Sequence, residues 1–141
     1  MTYRSFSISL SILIALFVFG FNYIAHIFYF FWTLNGIDSF LHLAAGFSIG
    51  LFATAIFDVE RIKNNQQARP SRFSLLVYSV ISALFIGILW EIYEYSAGIT
   101  LYFGPALKKT LLDTGSDIFM DIAGGFAGFL LYWKYSKKII C

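Results

Sequence analysis

Charged residues and cysteine are both scarce in this 141-residue chain. Only 13% of its residues are charged, whereas 59% are hydrophobic, and the mean hydropathy is +0.74. A soluble domain of this length needs far more polar surface, so the composition excludes that class and indicates an integral membrane protein. A single cysteine, Cys141, excludes a disulfide framework and a thiolate metal site.

Four apolar stretches are predicted to cross the membrane as helices, over residues of about 8–32, 39–57, 73–97 and 115–133. Each can cover a hydrocarbon core of about 30 Å at about 1.5 Å per residue. The alternating polarity of barrel strands is missing, so helices are the spanning structure that satisfies the backbone. The first stretch is too long for a signal peptide and lacks a cleavage site. We therefore expect an all-α, integral membrane four-helix bundle, formed by one domain over residues 1–141.

The basic residues predict the orientation of this bundle. Eight of the ten lysines and arginines fall on one side, namely Arg4, those in the loop 58–72, and those after Trp133. Only Lys108 and Lys109 fall on the other side. The positive-inside rule then places both termini in the cytoplasm of a multi-pass protein in a bacterial plasma (inner) membrane. The net charge of +2 reflects this topology and does not indicate nucleic-acid binding.

Acidic residues gather near the outer ends of the last three spans. They lie at helical spacings of three or four residues, so each set shares one face of its helix. His26 in the first span falls at a similar level. The topology came from lysine and arginine alone, so this convergence is an independent result. The set, with its one histidine, comprises Asp38, His42, Glu91, Glu94, Asp113, Asp117 and Asp121.

Small residues occupy the same helix faces deeper in the membrane. Such faces let helix backbones approach closely in lipid. We therefore expect a bundle that is tightly packed toward the cytoplasm and encloses a polar cavity open to the outside. The glycines assigned to this packing are Gly46, Gly50, Gly87, Gly124 and Gly128.

Several carboxylates in one cavity need protons, basic partners or a bound cation. Each acid in the membrane centre costs about 2.5–3.5 kcal/mol, and mutual repulsion adds to this. Basic partners are scarce, which leaves protonation or a divalent metal held by the seven residues of the acidic set. Oxygen ligands with few nitrogens favour Mg²⁺, Mn²⁺, Ca²⁺ or Zn²⁺, with iron a further candidate. Lys108, Lys109 and His26 are weaker candidates for contact with a substrate.

Three blocks of the sequence resemble a known family. DSFLHLAAG (38–46), WEIYEY (90–95) and DTGSDIFMDIAGG (113–125) are similar to motifs of YjdF-like bacterial inner-membrane proteins. They are more loosely similar to VanZ-like proteins, which are associated with resistance to glycopeptide antibiotics. The resemblance implies a multi-helix membrane protein whose activity is largely unassigned. The seven acidic and histidine positions belong to the matching motifs, but the resemblance does not imply a particular reaction.

Three functions fit these observations. The first is a divalent-metal-dependent enzyme acting on a lipid or lipid-linked substrate from the outer leaflet. The second is a site for proton- or cation-linked transport, which ionisable residues inside spans often mark. The third is a structural subunit whose acids pair with a membrane partner. In each case the lipid bilayer is the surrounding partner, and homo-oligomers remain open.

Overall fold

A computed structural model describes residues 3–28, 30–33, 36–63, 71–96 and 107–136. The helices are α1 (Tyr3–Ile27), α2 (Phe30–Thr33), α3 (Ile37–Lys63), α4 (Arg72–Ser96) and α5 (Leu107–Ser136). These ranges contain no strand, and the prediction of an all-α membrane bundle is confirmed.

Three helices of the described chain are long and apolar enough to cross a membrane: α1, the Ile37–Asp58 part of α3, and α4. The predicted fourth span, 115–133, lies within α5, which is not among these three. The aspartates Asp117 and Asp121 in its first half lower its hydropathy. That α5 also crosses the bilayer therefore stays a prediction.

The chain breaks the predicted first span into two helices. Residues 8–32 were expected to form one helix, but α1 ends at Ile27 and the short α2 follows. Aromatic packing accompanies the break, since Phe28 and Phe30 stack with ring centroids 5.8 Å apart. Gly36 then leads into α3 with a φ of 83°, and its carbonyl accepts a hydrogen bond from the Phe40 amide. Glycine adopts this left-handed conformation without steric cost.

Two helices extend beyond the predicted spans, because the flanking residues are good helix formers that continue the helix past the apolar run. Helix α3 continues to Lys63, so Asp58 lies in a helix and not in a loop. Helix α5 begins at Leu107, so Lys108 and Lys109 lie in its first turn.

Helix α3 is the centre of the bundle and packs against α1, α4 and α5, while α4 also packs against α5. Glycines bring the backbones of α3 and α5 into direct contact. A Cβ atom added at Gly46 would collide with the backbone of Asp121, and one at Gly124 would collide with the carbonyl of Leu43. A Cβ at Gly128 would lie 2.6 Å from the Phe47 carbonyl oxygen. No larger residue fits at these crossings without moving a helix.

Buried hydroxyl groups add hydrogen bonds across the helix contacts. Ser79 of α4 donates to the Gly125 carbonyl of α5 at 2.7 Å, and Ser48 of α3 donates to the Ser11 carbonyl of α1 at 2.7 Å. In lipid such interhelical bonds supply part of the attraction that the hydrophobic effect supplies in water.

The apolar core lies at the end of the bundle opposite the acidic set. Leu51, Ala55 and Tyr132 are almost fully buried there. The Tyr132 hydroxyl donates to Asp58 at 2.6 Å, and Arg4 contacts the same carboxylate oxygen at 3.4 Å. The outer surfaces of α1 and α4, in contrast, expose large side chains such as Phe19 (70%) and Phe85 (60%). Apolar surfaces of this kind suit a lipid environment.

We expect Gly46→Ala to destabilise the protein by about 1–3 kcal/mol, because the new methyl group must separate α3 from α5. Gly20→Ala makes the same chemical change in α1, where nothing lies within 4 Å of the added atom. That control should leave stability unchanged or raise it slightly. Thermal unfolding of the detergent-solubilised protein measures both, and equal melting temperatures would contradict the backbone contact.

Candidate functional site

The His42 side chain lies at the centre of the acidic set, with 5% of its surface exposed. Its Nδ1 is 2.9 Å from Oδ2 of Asp121, which is 1% exposed. Gly87 makes room for this carboxylate, because a Cβ there would collide with the Asp121 side chain. Asp121 thus reaches from α5 to His42 on α3 in the space that a glycine leaves open on α4.

The other ring nitrogen of His42 lies within ion-pair distance of two carboxylates but forms a hydrogen bond with neither. Nε2 lies 3.7 Å from Glu91 Oε1 and 4.0 Å from Asp38 Oδ1. Both Nε2 and Glu91 Oε1 are buried and have no hydrogen-bond partner among the described residues. Buried polar atoms are nearly always paired, so this pair of facing atoms is the exception in the cluster.

Three acids of the cluster each accept a hydrogen bond from a neighbouring side chain through one carboxylate oxygen. Thr114 Oγ1 donates to Glu91 Oε2 at 2.6 Å, and Trp90 Nε1 donates to Glu94 Oε1 at 2.8 Å. These bonds orient the acids and leave Glu91 Oε1 directed toward His42. On the α5 side, the Ser39 hydroxyl donates to Asp117 Oδ1 at 3.0 Å.

Two overlapping groups of side chains can hold a metal ion, and both include His42. One is His42, Glu91 and Glu94, all buried; the other is Asp38, His42 and Asp117. Within each group the potential ligand atoms lie within 4.8 Å of one another. The structure therefore brings together residues from α3, α4 and α5 around the imidazole ring of His42.

The remaining predicted residues lie around this centre. Asp121 contacts the opposite edge of the His42 ring, and Asp113 is exposed and belongs to neither group. His26 is exposed but lines a cavity together with Asp38 and Glu94. The side chains of Lys108 and Lys109 lie outside the described part of the chain.

Two adjoining cavities open beside the His42 cluster. The lower cavity, of about 160 Å³, lies among α1, α3 and α4 and reaches His42 and Asp121. The upper cavity, of about 200 Å³, extends toward His26 and Glu94. Asp38 and Trp90 line both cavities.

The sequence pattern did not single out the three supporting donors Ser39, Trp90 and Thr114. Helical spacing offered a signal for Trp90, which precedes Glu94 by four residues and donates to it. Ser39 and Thr114 donate to acids on other helices, Asp117 and Glu91, so no local spacing marks them. Such donors orient a buried acid from outside its own helix.

The fold and the site together define a helical membrane protein with a buried acidic and histidine cluster. The chain belongs to a family of predicted membrane proteins, DUF2238, whose sequence profile matches residues 2–138. The YjdF-like resemblance is thereby confirmed, whereas the link to VanZ-like proteins is not. No curated protein and no solved structure matches the chain.

The site geometry predicts that His42 carries a proton on Nδ1, because Nδ1 lies 2.9 Å from a carboxylate oxygen of Asp121, and carboxylate oxygens accept hydrogen bonds. In the ¹⁵N NMR spectrum of histidine-labelled, chelator-treated protein, Nδ1 should show the chemical shift of a protonated nitrogen. His42→Gln assigns the signal and separates it from that of His26.

Asp121→Asn offers an amide that can donate to Nδ1, so it should allow the other tautomer to form. Asp113→Asn is the matched control on the exposed side of the same helix and should leave the His42 signals in place. A neutral His42 protonated on Nε2 in the unsubstituted protein would contradict the assigned contact.

Proposed function

We propose that this protein is a divalent-metal-dependent hydrolase of a lipid or lipid-linked substrate, with the metal held at Nε2 of His42. The observation that carries the proposal is a pair of buried atoms, His42 Nε2 and Glu91 Oε1, which face each other 3.7 Å apart and have no hydrogen-bond partner within the described helices. A cation between them would bind both lone pairs and offset the repulsion among the surrounding carboxylates.

The contact between His42 and Asp121 supports a metal at Nε2. A histidine that binds a metal through one nitrogen usually donates its other N–H to a carboxylate, which fixes the tautomer and the ring orientation. In this proposal Asp121 accepts from the Nδ1–H of His42, 2.9 Å away, so the lone pair of Nε2 is directed into the cluster. Asp121 is in this proposal an orienting residue and not a ligand.

The preferred ligands are His42, Glu91 and Glu94. All three are buried, and both glutamates receive an orienting hydrogen bond from a neighbouring side chain. One imidazole with two carboxylates suits Zn²⁺ or Mn²⁺ better than Mg²⁺ or Ca²⁺, which prefer oxygen ligands alone. Three protein ligands leave a position open for water or substrate, as in catalytic zinc sites.

Asp38 is the proposed general base. It lies 4.0 Å from Nε2, its side chain is 27% exposed, and it lines both cavities. A divalent metal held by His42, Glu91 and Glu94 would supply Lewis-acid activation of water. Asp38 would take a proton from the water that attacks a carbonyl carbon or a phosphorus atom, and would return that proton to the leaving oxygen as its bond to the same atom breaks.

Packing below the site favours hydrolysis over transport within one chain. The faces that carry the acids continue into glycine contacts between α3 and α5, such as Gly50 against Gly125, where a Cβ added at Gly50 would lie 2.6 Å from the Gly125 Cα. The buried Leu51, Ala55 and Tyr132 follow. The described helices thus give an ion no polar route from the cluster to the other end. We further propose that the site faces outward across a bacterial inner membrane, with both termini in the cytoplasm.

Purified protein should contain one divalent metal ion per chain, measured by elemental analysis after loading with Zn²⁺ or Mn²⁺. His42→Gln and Glu91→Gln should each abolish the stoichiometric metal, because each removes a ligand. Asp113→Asn changes an exposed acid on α5 and should retain the metal. A wild-type protein without metal after loading would refute the proposal.

Further variants separate the two possible ligand groups. If His42, Glu91 and Glu94 bind the ion, Glu94→Gln should weaken binding more than Asp117→Asn does. Asp121→Asn should weaken affinity by about 10–100-fold without changing the number of sites, as expected for an orienting residue. Titration calorimetry on the metal-free protein measures all three affinities.

Asp38→Asn should keep the metal but lower turnover by about 100-fold or more, the usual contribution of a general base. The assay follows metal-loaded protein in nanodiscs of bacterial lipid, with mass spectrometry of released fatty acids and headgroups. Equal product release by wild type and Asp38→Asn would exclude the assigned role. Product release by metal-free wild type would exclude metal-dependent hydrolysis.

A further inference from the structure

The lower cavity is a groove between α1 and α4 with α3 as its floor. Both helices pack on α3, but they share no extended interface with each other. Small residues deepen the groove, with Ala15 on α1, Ala45 on α3 and Gly87 on α4 along its lining. Its lining is otherwise mostly apolar, and its outer edge carries exposed side chains of the membrane-facing surface, Phe19 and Ile86. In a bilayer such a groove opens sideways to hydrocarbon chains.

The upper cavity has a different chemistry. Its lining combines aromatic rings with two acids, Asp38 and Glu94. Aromatic faces beside carboxylates are the surroundings that bind ammonium groups, through cation–π attraction and charge. The rings are those of Phe19, Tyr23, Phe31, Trp90 and Tyr93. At the same level, Asn22 and His26 offer N–H donors for a phosphate oxygen.

The two cavities lie next to each other, the apolar one below the polar one, as the acyl chain of a lipid lies below its headgroup. Phe19, Asn22, Asp38 and Trp90 line both of them. The apolar part extends down α3 to Ile49, about 16 Å from Asp38 at the rise of an α-helix. The polar part lies at the helix ends, where a headgroup of the same leaflet would lie.

We infer that the joined cavities bind one phospholipid with an ammonium headgroup, its acyl chain between α1 and α4 and its headgroup among the aromatic rings and acids. This inference names the substrate class and rests on the proposed function only in that the lipid's ester and phosphate groups would then lie beside the His42 metal site. The apolar lining of the groove and the aromatic rings of the upper cavity are observed apart from the metal ligands, although His42 borders the groove and Glu94 borders the upper cavity.

Trp90 provides a direct probe because it lines both cavities. A protein with Trp32→Phe and Trp133→Phe retains Trp90 as its one tryptophan. In nanodiscs, phosphatidylethanolamine with brominated acyl chains should quench Trp90 fluorescence saturably at low mole fraction. Brominated phosphatidylglycerol, which lacks the ammonium group, should bind about fivefold more weakly or worse. Equal or unsaturable quenching by both lipids would overturn the inference, as would a preference for phosphatidylglycerol.

Two variants outside the metal ligands test the two halves of the site. Ala15→Phe places a ring in the groove and should remove the saturable quenching by both lipids. Leu13→Phe is its control, since Leu13 is exposed on α1 and lines neither cavity. Tyr93→Leu should remove the preference for the ammonium lipid while leaving chain binding. If Ala15→Phe and Leu13→Phe behave alike, the acyl chain does not lie in the groove.

The same titration with Glu91→Gln separates this inference from the proposed function. Selective quenching should persist in that variant, because Glu91 is a proposed metal ligand that lines neither cavity. Bound metal without lipid selectivity would leave the proposed function standing and refute the lipid site. Lipid selectivity in a protein that never binds metal would refute the proposed function and leave the lipid site standing.

Discussion

The site depends on the close approach of α3 and α5, which glycines alone permit. Gly46 and Gly124 let the two backbones touch at the level where Asp121 meets His42. If the helices moved apart by the width of a methyl group, the 2.9 Å contact between Nδ1 and the carboxylate would be lost. The packing of α3 against α5 therefore also determines the geometry of the His42 site. The same stripe of small residues that joins the helices also sets the direction in which the imidazole ring points.

The helical class and the level of the acids could be read from the sequence. Long apolar runs set the helices, and spacings of three and four residues put Asp38 beside His42 and Glu91 beside Glu94 on shared faces. Helical periodicity places Asp113 and Asp121, two turns apart, on the same face of α5. It could not show which of the two aspartates is buried in the site. Depth decides between them, because Asp113 is exposed whereas Asp121 is buried between helices.

Other features have no local signal at all. Asp58 was assigned to a loop, but α3 continues through it and Tyr132, 74 residues later, donates to its carboxylate. The cavities likewise depend on the space between α1 and α4, which a pattern within either helix does not encode. Helix ends were also displaced, because residues such as Lys108 continue a helix that hydropathy alone would end sooner.

The attachment of α1 is uneven along its length. Within its first three turns, Tyr3 and Ser11 form hydrogen bonds with α5 and α3, and Arg4 forms an ion pair with α3. Farther along, α1 buries Ala25 and lines the open cavities with side chains such as Val18 and Asn22. A helix whose polar contacts lie near one end tilts more easily at the other. The width of the sideways entrance would then vary with bilayer thickness and lateral pressure, which would make access to the buried cluster responsive to the physical state of the membrane.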